Sequence, residues 1–181
     1  MSKLPNRPPA QDLANRMPAN FPHCMGADLR HRDLSGLDLS GGDFVGADFT
    51  GANLTGANLS NADMAVATLT GANLTGANLT GAHLSQANFA GANLTKADLT
   101  KAILTYANLR GAKLTDATLV GADLTDADLT SALVDGADFT DATLATRGIP
   151  HGTVGRPAHL PKRGSAGPRQ AAMQGDAIAT A

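Results

Sequence analysis

Between Gly26 and Ala145 an apolar residue returns at every fifth position, in one register and without insertion or deletion across 24 units. Counting from Leu29, the centres are Leu in 18 units, Phe at 44, 49, 89 and 139, Met64 and Val134. Two residues before each centre stands Ala in 21 of the 24, the exceptions being Arg32, Leu37 and Gly42 near the start. The position between them is mostly Asp or Asn. After the centre comes mostly Thr or Ser and then, in half of the units, Gly, as in Ala72-Asn73-Leu74-Thr75-Gly76. Self-similarity at a short fixed period marks a stacked repeat architecture.

The period excludes both regular elements. A helix turns by about 100° per residue, so a step of five leaves successive centres roughly 140° apart and spread around the cylinder. A straight strand alternates faces, so an odd repeat would throw successive centres to opposite sides. The chain must therefore turn once per unit. Ala and the central Leu, two residues apart, then both point inward, while the Asp/Asn, Thr and Gly positions face solvent or form the corner. The pattern predicts an all-β solenoid with a narrow Ala/Leu core.

These A-(D/N)-L-(T/S)-G units resemble the pentapeptide repeat family, over residues 26–145, about two-thirds of the chain. The resemblance implies a right-handed quadrilateral β-helix with four pentapeptides per coil, and so about six coils, with flexible tails. Arg32, Leu37 and Gly42 at inward positions, and Cys24 in register at a would-be centre, predict an irregular first coil in which Cys24 is a small buried hydrophobe. Residues 1–25 form an N-terminal segment, with a short capping helix expected around Pro9 to Met17. Residues 146–181 lack the repeat and are rich in Gly, Pro, Ala and basic residues, which reads as a disordered tail. That leaves the C-terminal edge bare. With Val134, Phe139 and Leu144 in the last coil, a homodimer by end-to-end stacking is expected.

Composition narrows the function. The chain of 181 residues has no Trp, one Tyr (Tyr106) and five Phe, too little aromatic surface for base stacking, so no direct nucleic-acid binding is expected. The lone cysteine excludes an internal disulfide and any multi-cysteine zinc module. No apolar run reaches the roughly eighteen residues of a membrane span, and the N-terminus has no apolar leader core, so a cytoplasmic protein without membrane contact is expected. No G-x-x-x-x-G-K-S/T, H-E-x-x-H or G-x-S-x-G motif occurs, and the histidines are scattered. Neither enzymatic activity nor a cofactor or metal is expected.

The net charge of −2 conceals an acidic rod: the solenoid sums to −8, the first 25 residues to +2 and the tail to +4. Assigned cyclically to four faces, the units holding Leu29, Phe49 and Leu69 sum to −1 and those holding Leu34, Leu54 and Leu74 to zero. The face of Leu39, Leu59 and Leu79 sums to −3 and that of Phe44, Met64 and Leu84 to −4. Asp38, Asp98, Asp138 and Asp141 on the former, with Asp43, Asp63, Asp123 and Asp126 on the latter, are the candidate partner-binding residues. Some members of the family resemble DNA in shape and charge and inhibit or protect DNA gyrase, so the resemblance implies a protein partner of that kind. The density is low for a mimic: B-DNA over roughly 29 Å carries about 17 charges, at one per ~1.7 Å. Loops within the coils and a C-terminal apolar helix, common in resistance-type members, are absent from the sequence. A plainer account of the same residues is that Asp and Asn solvate the surface and support local backbone hydrogen bonds. The column Thr55, Thr75, Thr95 and Thr115 would suit ice binding, but repetition of the consensus explains it more simply. The leading expectation is a non-enzymatic interaction or scaffold protein, and the alternative is a DNA-mimicking modulator of a type II topoisomerase.

Overall fold

The computed structural model describes residues 21–144, 155 and 157–159. The expected helix around Pro9 to Met17, and all but four residues of segment 146–181, lie outside them. Parallel bridges join each residue before a centre to the residue 20 positions on, from His23↔Asp43 to Asp123↔Thr143. Four pentapeptides therefore make one coil, and the fold is a right-handed quadrilateral β-helix. Each side is named here by its first centre within the repeat: the Leu29, Leu34, Leu39 and Phe44 faces.

Backbone hydrogen bonding explains the five-residue unit. In Ala72–Gly76 the Asn73 N–H donates to the Ala52 carbonyl of the preceding coil (2.9 Å), and the Leu74 and Gly76 N–H groups donate to Asn93 (2.7 Å) and Thr95 (2.9 Å) of the next. Ala72 closes the corner on the Leu69 carbonyl at 3.0 Å. The remaining N–H, that of Thr75, has no main-chain acceptor, and the Asn73 side chain accepts it at 3.2 Å. All five donors of the unit are thus satisfied, as a closely packed backbone requires.

The corner demands a left-handed residue. Every fifth residue from Gly26 to Asp141 has φ between 55° and 68°, whether it is Gly or one of eleven other residues, among them Val66 and Tyr106. Glycine takes this conformation freely, whereas an L-residue gives up about 1–2 kcal/mol, and for a β-branched residue it is a true outlier.

Inside, the Ala and Leu/Phe/Met/Val positions form one apolar cluster with almost no solvent exposure, and no buried side chain among the described residues is polar or charged. Contrary to the expected irregular first coil, the backbone ladder runs unbroken through Cys24, Leu29, Leu34 and Leu39. The irregularity is confined to side chains. Leu37 is buried where Ala is usual, Arg32 stays exposed at the rim, and a Cβ on Gly42 would collide with the Phe44 ring. Gly42 is therefore small because Phe44 is large. The Phe44 ring packs edge-on to Phe49 at 5.4 Å, and Phe21 tilts onto it at 6.4 Å, covering part of the N-terminal edge. Cys24 is fully buried, as expected, and desolvation pushes its thiol up, with the Asp43 charge adding to the effect.

The C-terminal edge is not bare. Ala158 N–H donates to the Ala137 carbonyl at 2.8 Å and Phe139 N–H to His159 at 3.0 Å, so two residues span the place that one fills elsewhere in the ladder. His159 Nδ1 also lies 3.5 Å from Asp138. Val134, Phe139 and Leu144 are 1%, 0% and 6% exposed within the single chain.

Candidate interaction faces

All 16 acidic side chains of the chain are Asp, and the structure shows why the shorter acid is used. In each of the 17 units with Asp or Asn before the centre, its Oδ1 accepts the N–H two residues on. This short side chain holds the turn that follows it.

Six of the eight candidate residues occupy that capping position. Asp38 accepts from the Ser40 N–H (3.3 Å), the Ser40 hydroxyl (2.7 Å) and, across to the next coil, Asn58 Nδ2 (3.0 Å). Asp43 caps Val45 at 3.4 Å, Asp63 caps Ala65 at 3.1 Å and Asp98 caps Thr100 at 2.9 Å. Asp123 takes the Thr125 N–H and hydroxyl at 3.0 and 2.6 Å, and Asp138 those of Thr140 at 2.9 and 2.6 Å. Asp126 and Asp141 are different. They are left-handed corner residues, both at φ 56°.

Stacking decides which of these charges meet. Asp43 and Asp63 are direct neighbours on adjacent coils of the Phe44 face. Above them the column continues His83, Ile103, Asp123, with His83 Nδ1 3.6 Å from Asp63. On the Leu39 face Asn58 and Asn78 separate Asp38 from Asp98, and Thr118 separates Asp98 from Asp138. The two faces are acidic in sum but form no continuous row of carboxylates.

Hydrogen bonding sets the ionisation of several of these carboxylates. The Thr140 hydroxyl and N–H, then the nearby His159, hold Asp138 below the usual carboxylate range. Thr50 does the same for Asp48 and Thr130 for Asp128, where Arg110 reaches across at 3.1 Å. Asp28 is held lowest, by a forked pair of hydrogen bonds from the Arg30 side chain at 2.9 and 2.7 Å. No group of three or more His, Cys, Asp or Glu among the described residues is placed to hold a metal ion. No helix among them is long and apolar enough to cross a membrane.

Charge counting overlooks the apolar part of this surface. Among the described residues the exposed large hydrophobics are Met25, Val66, Ile103 and Tyr106, at 64%, 56%, 37% and 62% exposure. All four belong to units of the Phe44 face. In the sequence they stand at outward positions of units 22–26, 62–66 and 102–106, as Val45, Val120 and Leu133 do elsewhere, and exposure is what separates them from those three half-buried residues.

The family model for pentapeptide repeats matches the chain in stretches 23–61, 33–70, 67–105 and 107–144. Comparison with curated proteins gave no match. Among solved structures, HetL, a pentapeptide repeat protein involved in heterocyst differentiation regulation in the cyanobacterium Nostoc sp. strain PCC 7120, is 29% identical with a TM-score of 0.44. The match covers 65% of this chain and 62% of HetL. Rfr23 of the cyanobacterium Cyanothece 51142 is 33% identical with a TM-score of 0.46, over 51% of this chain and 63% of Rfr23. The chain thus spans a little under two-thirds of either protein's length. QnrB1, a plasmid-mediated fluoroquinolone resistance protein, is 21% identical with a TM-score of 0.45, over 82% of this chain and 86% of QnrB1.

Proposed function

The chain belongs to the pentapeptide repeat family, and from that premise we propose that it is a non-enzymatic interaction or scaffold protein of the cytoplasm, presenting the sides of its solenoid to a macromolecular partner. One observation carries the reading: no buried side chain among the described residues is polar or charged, so the chemistry they offer lies on the outside of the rod. Placing a photo-crosslinking residue at Arg110, Lys113, Lys101 and Tyr106 puts one exposed probe in a unit of each face within a short stretch. A scaffold gives crosslinked protein from one or two of the four. Crosslinks from none would refute it.

A second reading, modulation of DNA gyrase or another type II topoisomerase by DNA mimicry, is favoured by the Asp43–Asp63 neighbours on the most acidic face. Carboxylates along a rod attract the basic surfaces that ordinarily meet phosphates. Its test is a gyrase supercoiling assay, with and without a fluoroquinolone, comparing the protein with a variant in which Asp38, Asp43, Asp63, Asp98, Asp123 and Asp126 become Asn. Asn keeps the turn cap at five of these positions, as Asn73 does for Thr75, and takes the left-handed corner at the sixth, as Asn61 does, so the variant changes charge and leaves the backbone alone. Inhibition or drug protection lost in the variant supports mimicry. Equal behaviour of both proteins, or no effect of either, overturns it.

A further inference from the structure

We infer that the Phe44 face is a docking surface for a protein that brings an apolar patch flanked by basic side chains. The inference rests on the interaction reading above and assigns it one face and one partner chemistry.

The observations converge on one side of the rod. Met25, Val66, Ile103 and Tyr106, the exposed large hydrophobics of the described residues, all lie in its units, and the other three faces carry none. Exposed apolar groups scattered singly need no explanation, whereas their concentration on one surface marks a contact site. Their placement is ordered as well. Val66 and Tyr106 stand in the same corner column two coils apart, with Ile103 beside Tyr106 in the same unit. Ile103, with His83, stands in the gap of the acidic column between Asp63 and Asp123, and Val66 and Tyr106 stand in the corner column of the same face. Along the face the acidic units of Asp43 and Asp63 are followed by a polar one with His83 and Gln86, an apolar one with Ile103 and Tyr106, and an acidic one with Asp123 and Asp126.

The corner column of this face also departs from the fold's own preference. Residues 66, 86, 106 and 126 are Val, Gln, Tyr and Asp in four successive coils, all at positive φ, and no other corner of the solenoid gives up glycine in four coils running. Asn and Asp tolerate this conformation through local hydrogen bonds, but Val and Tyr have no such compensation. An exposed Tyr on the most acidic face suits a protein partner, since Tyr is enriched at interface anchors and the charge favours basic side chains around the contact. The charge opposes a phosphate backbone.

The reach fixes a probe. From Asp43 to Asp123 is four coil steps, roughly 19 Å at ~4.8 Å each. A helical peptide of about 14 residues, at 1.5 Å per residue, covers that length. The experiment titrates the full-length protein with such a peptide made of Leu and Lys at amphipathic spacing, and with a control peptide carrying Ser for each Leu. Tyr106 is the only Tyr and there is no Trp, so tyrosine fluorescence reports directly from the face, with calorimetry in parallel.

We expect saturable binding of the Leu/Lys peptide with a change in tyrosine emission, weaker by about tenfold for the Ser/Lys peptide. A Val66→Gly, Ile103→Asn double variant loses about tenfold in affinity for the Leu/Lys peptide, whereas Ser131→Gly, at a corner after a Leu29-face unit, changes nothing. Val66→Gly installs the residue the corner prefers and Ile103→Asn installs the cap found in most units, so loss of binding is not loss of fold. Equal binding of both peptides, or unchanged binding by the double variant, would reduce the face to a mere charge and overturn the inference. A concentration-dependent dimer abolished by the same variant would give the face to a second copy and also overturn it. The two levels separate in the four-face crosslinking experiment: products only from Lys101, Arg110 or Lys113 leave the interaction reading standing and remove this one.

Discussion

The Leu34 face and the Phe44 face are built from the same pentapeptide on the same core, and their outward side chains are committed differently. On the Leu34 face Asn73 Nδ2 donates to Thr55 Oγ1 at 2.9 Å, Thr75 Oγ1 donates to Asn73 Oδ1 at 2.6 Å, and Asn93 Nδ2 continues to Thr75 Oγ1 at 3.0 Å. Side chains there tie one coil to the next. Hydroxyls engaged in that ladder also account for the Thr column without invoking ice. On the Phe44 face the same column carries His83 and Ile103, which cap nothing, and the corners carry Val66 and Tyr106, which strain the backbone. The Phe44 face keeps the caps of Asp43, Asp63 and Asp123 and a Ser85–Thr105 hydroxyl bond between coils at 2.8 Å, so the difference lies in four side chains, His83, Ile103, Val66 and Tyr106, that give up cap or glycine.

The largest expected effects test what the two faces share. Leu74→Ala beneath the Leu34 face and Leu84→Ala beneath the Phe44 face remove fully buried side chains of one core, and each should cost about 2–5 kcal/mol in urea unfolding. A marked difference between them would place the asymmetry inside the rod rather than on it.

Next come the outward positions. Asn73→Ala removes a turn cap and an inter-coil bond and should destabilise by about 1–2 kcal/mol, in the range of lost helix caps. His83→Ala on the Phe44 face should stay within about 0.5 kcal/mol, because its contact with Asp63, at 3.6 Å, is half exposed. Equal losses by denaturant titration would erase the contrast between the faces.

Corner swaps are smaller and opposite in sign. Val66→Gly should raise stability by about 1 kcal/mol, and Gly76→Val, at φ 64° with open space around the added carbon, should lower it by about 1–2 kcal/mol through the backbone alone. Thermal unfolding of both variants measures the strain carried at the Phe44-face corners.

The smallest effect is that of acid. Asp48, Asp128 and Asp138 have folded-state pKa values below the ordinary carboxylate value, so their contribution is fully present above about pH 4 and is lost as pH falls through the depressed values. Stability should be flat from neutral pH to about pH 5 and decline below about pH 4. Asp138→Asn, which keeps a cap for Thr140, should flatten part of that decline. A decline of the same size in the variant would assign the acid sensitivity to other carboxylates.

Much of this was legible in the sequence because the register never slips between Gly26 and Leu144. Once Leu29 is taken as a centre, inward Ala, outward Asp/Asn and the corner follow by counting, and the corner holds at Val66 or Lys101 as well as at glycines. The capping role of Asp was legible from its reach to a nearby N–H. The side-chain adjustments at Leu37, Gly42 and Phe44 were not, because they depend on which rings meet inside the coil. The bridge of His159 to Asp138 was missed because an intervening segment breaks the five-residue count, although Ala158-His159-Leu160 repeats the triplet Ala82-His83-Leu84. The apolar residues of the Phe44 face escaped because charge sums do not register them.

In 17 of the 24 units the side chain that caps the turn amide is Asp or Asn. Asp and Asn are near-identical in shape and accept the same N–H through the same oxygen, as Asp38 does for Ser40 and Asn58 for Ser60. A single-residue exchange therefore rewrites the local electrostatic potential while the turn beneath it stays put. Fold and surface charge become independent variables, so descendants of one rod can diverge in what they attract or repel without renegotiating how they stand.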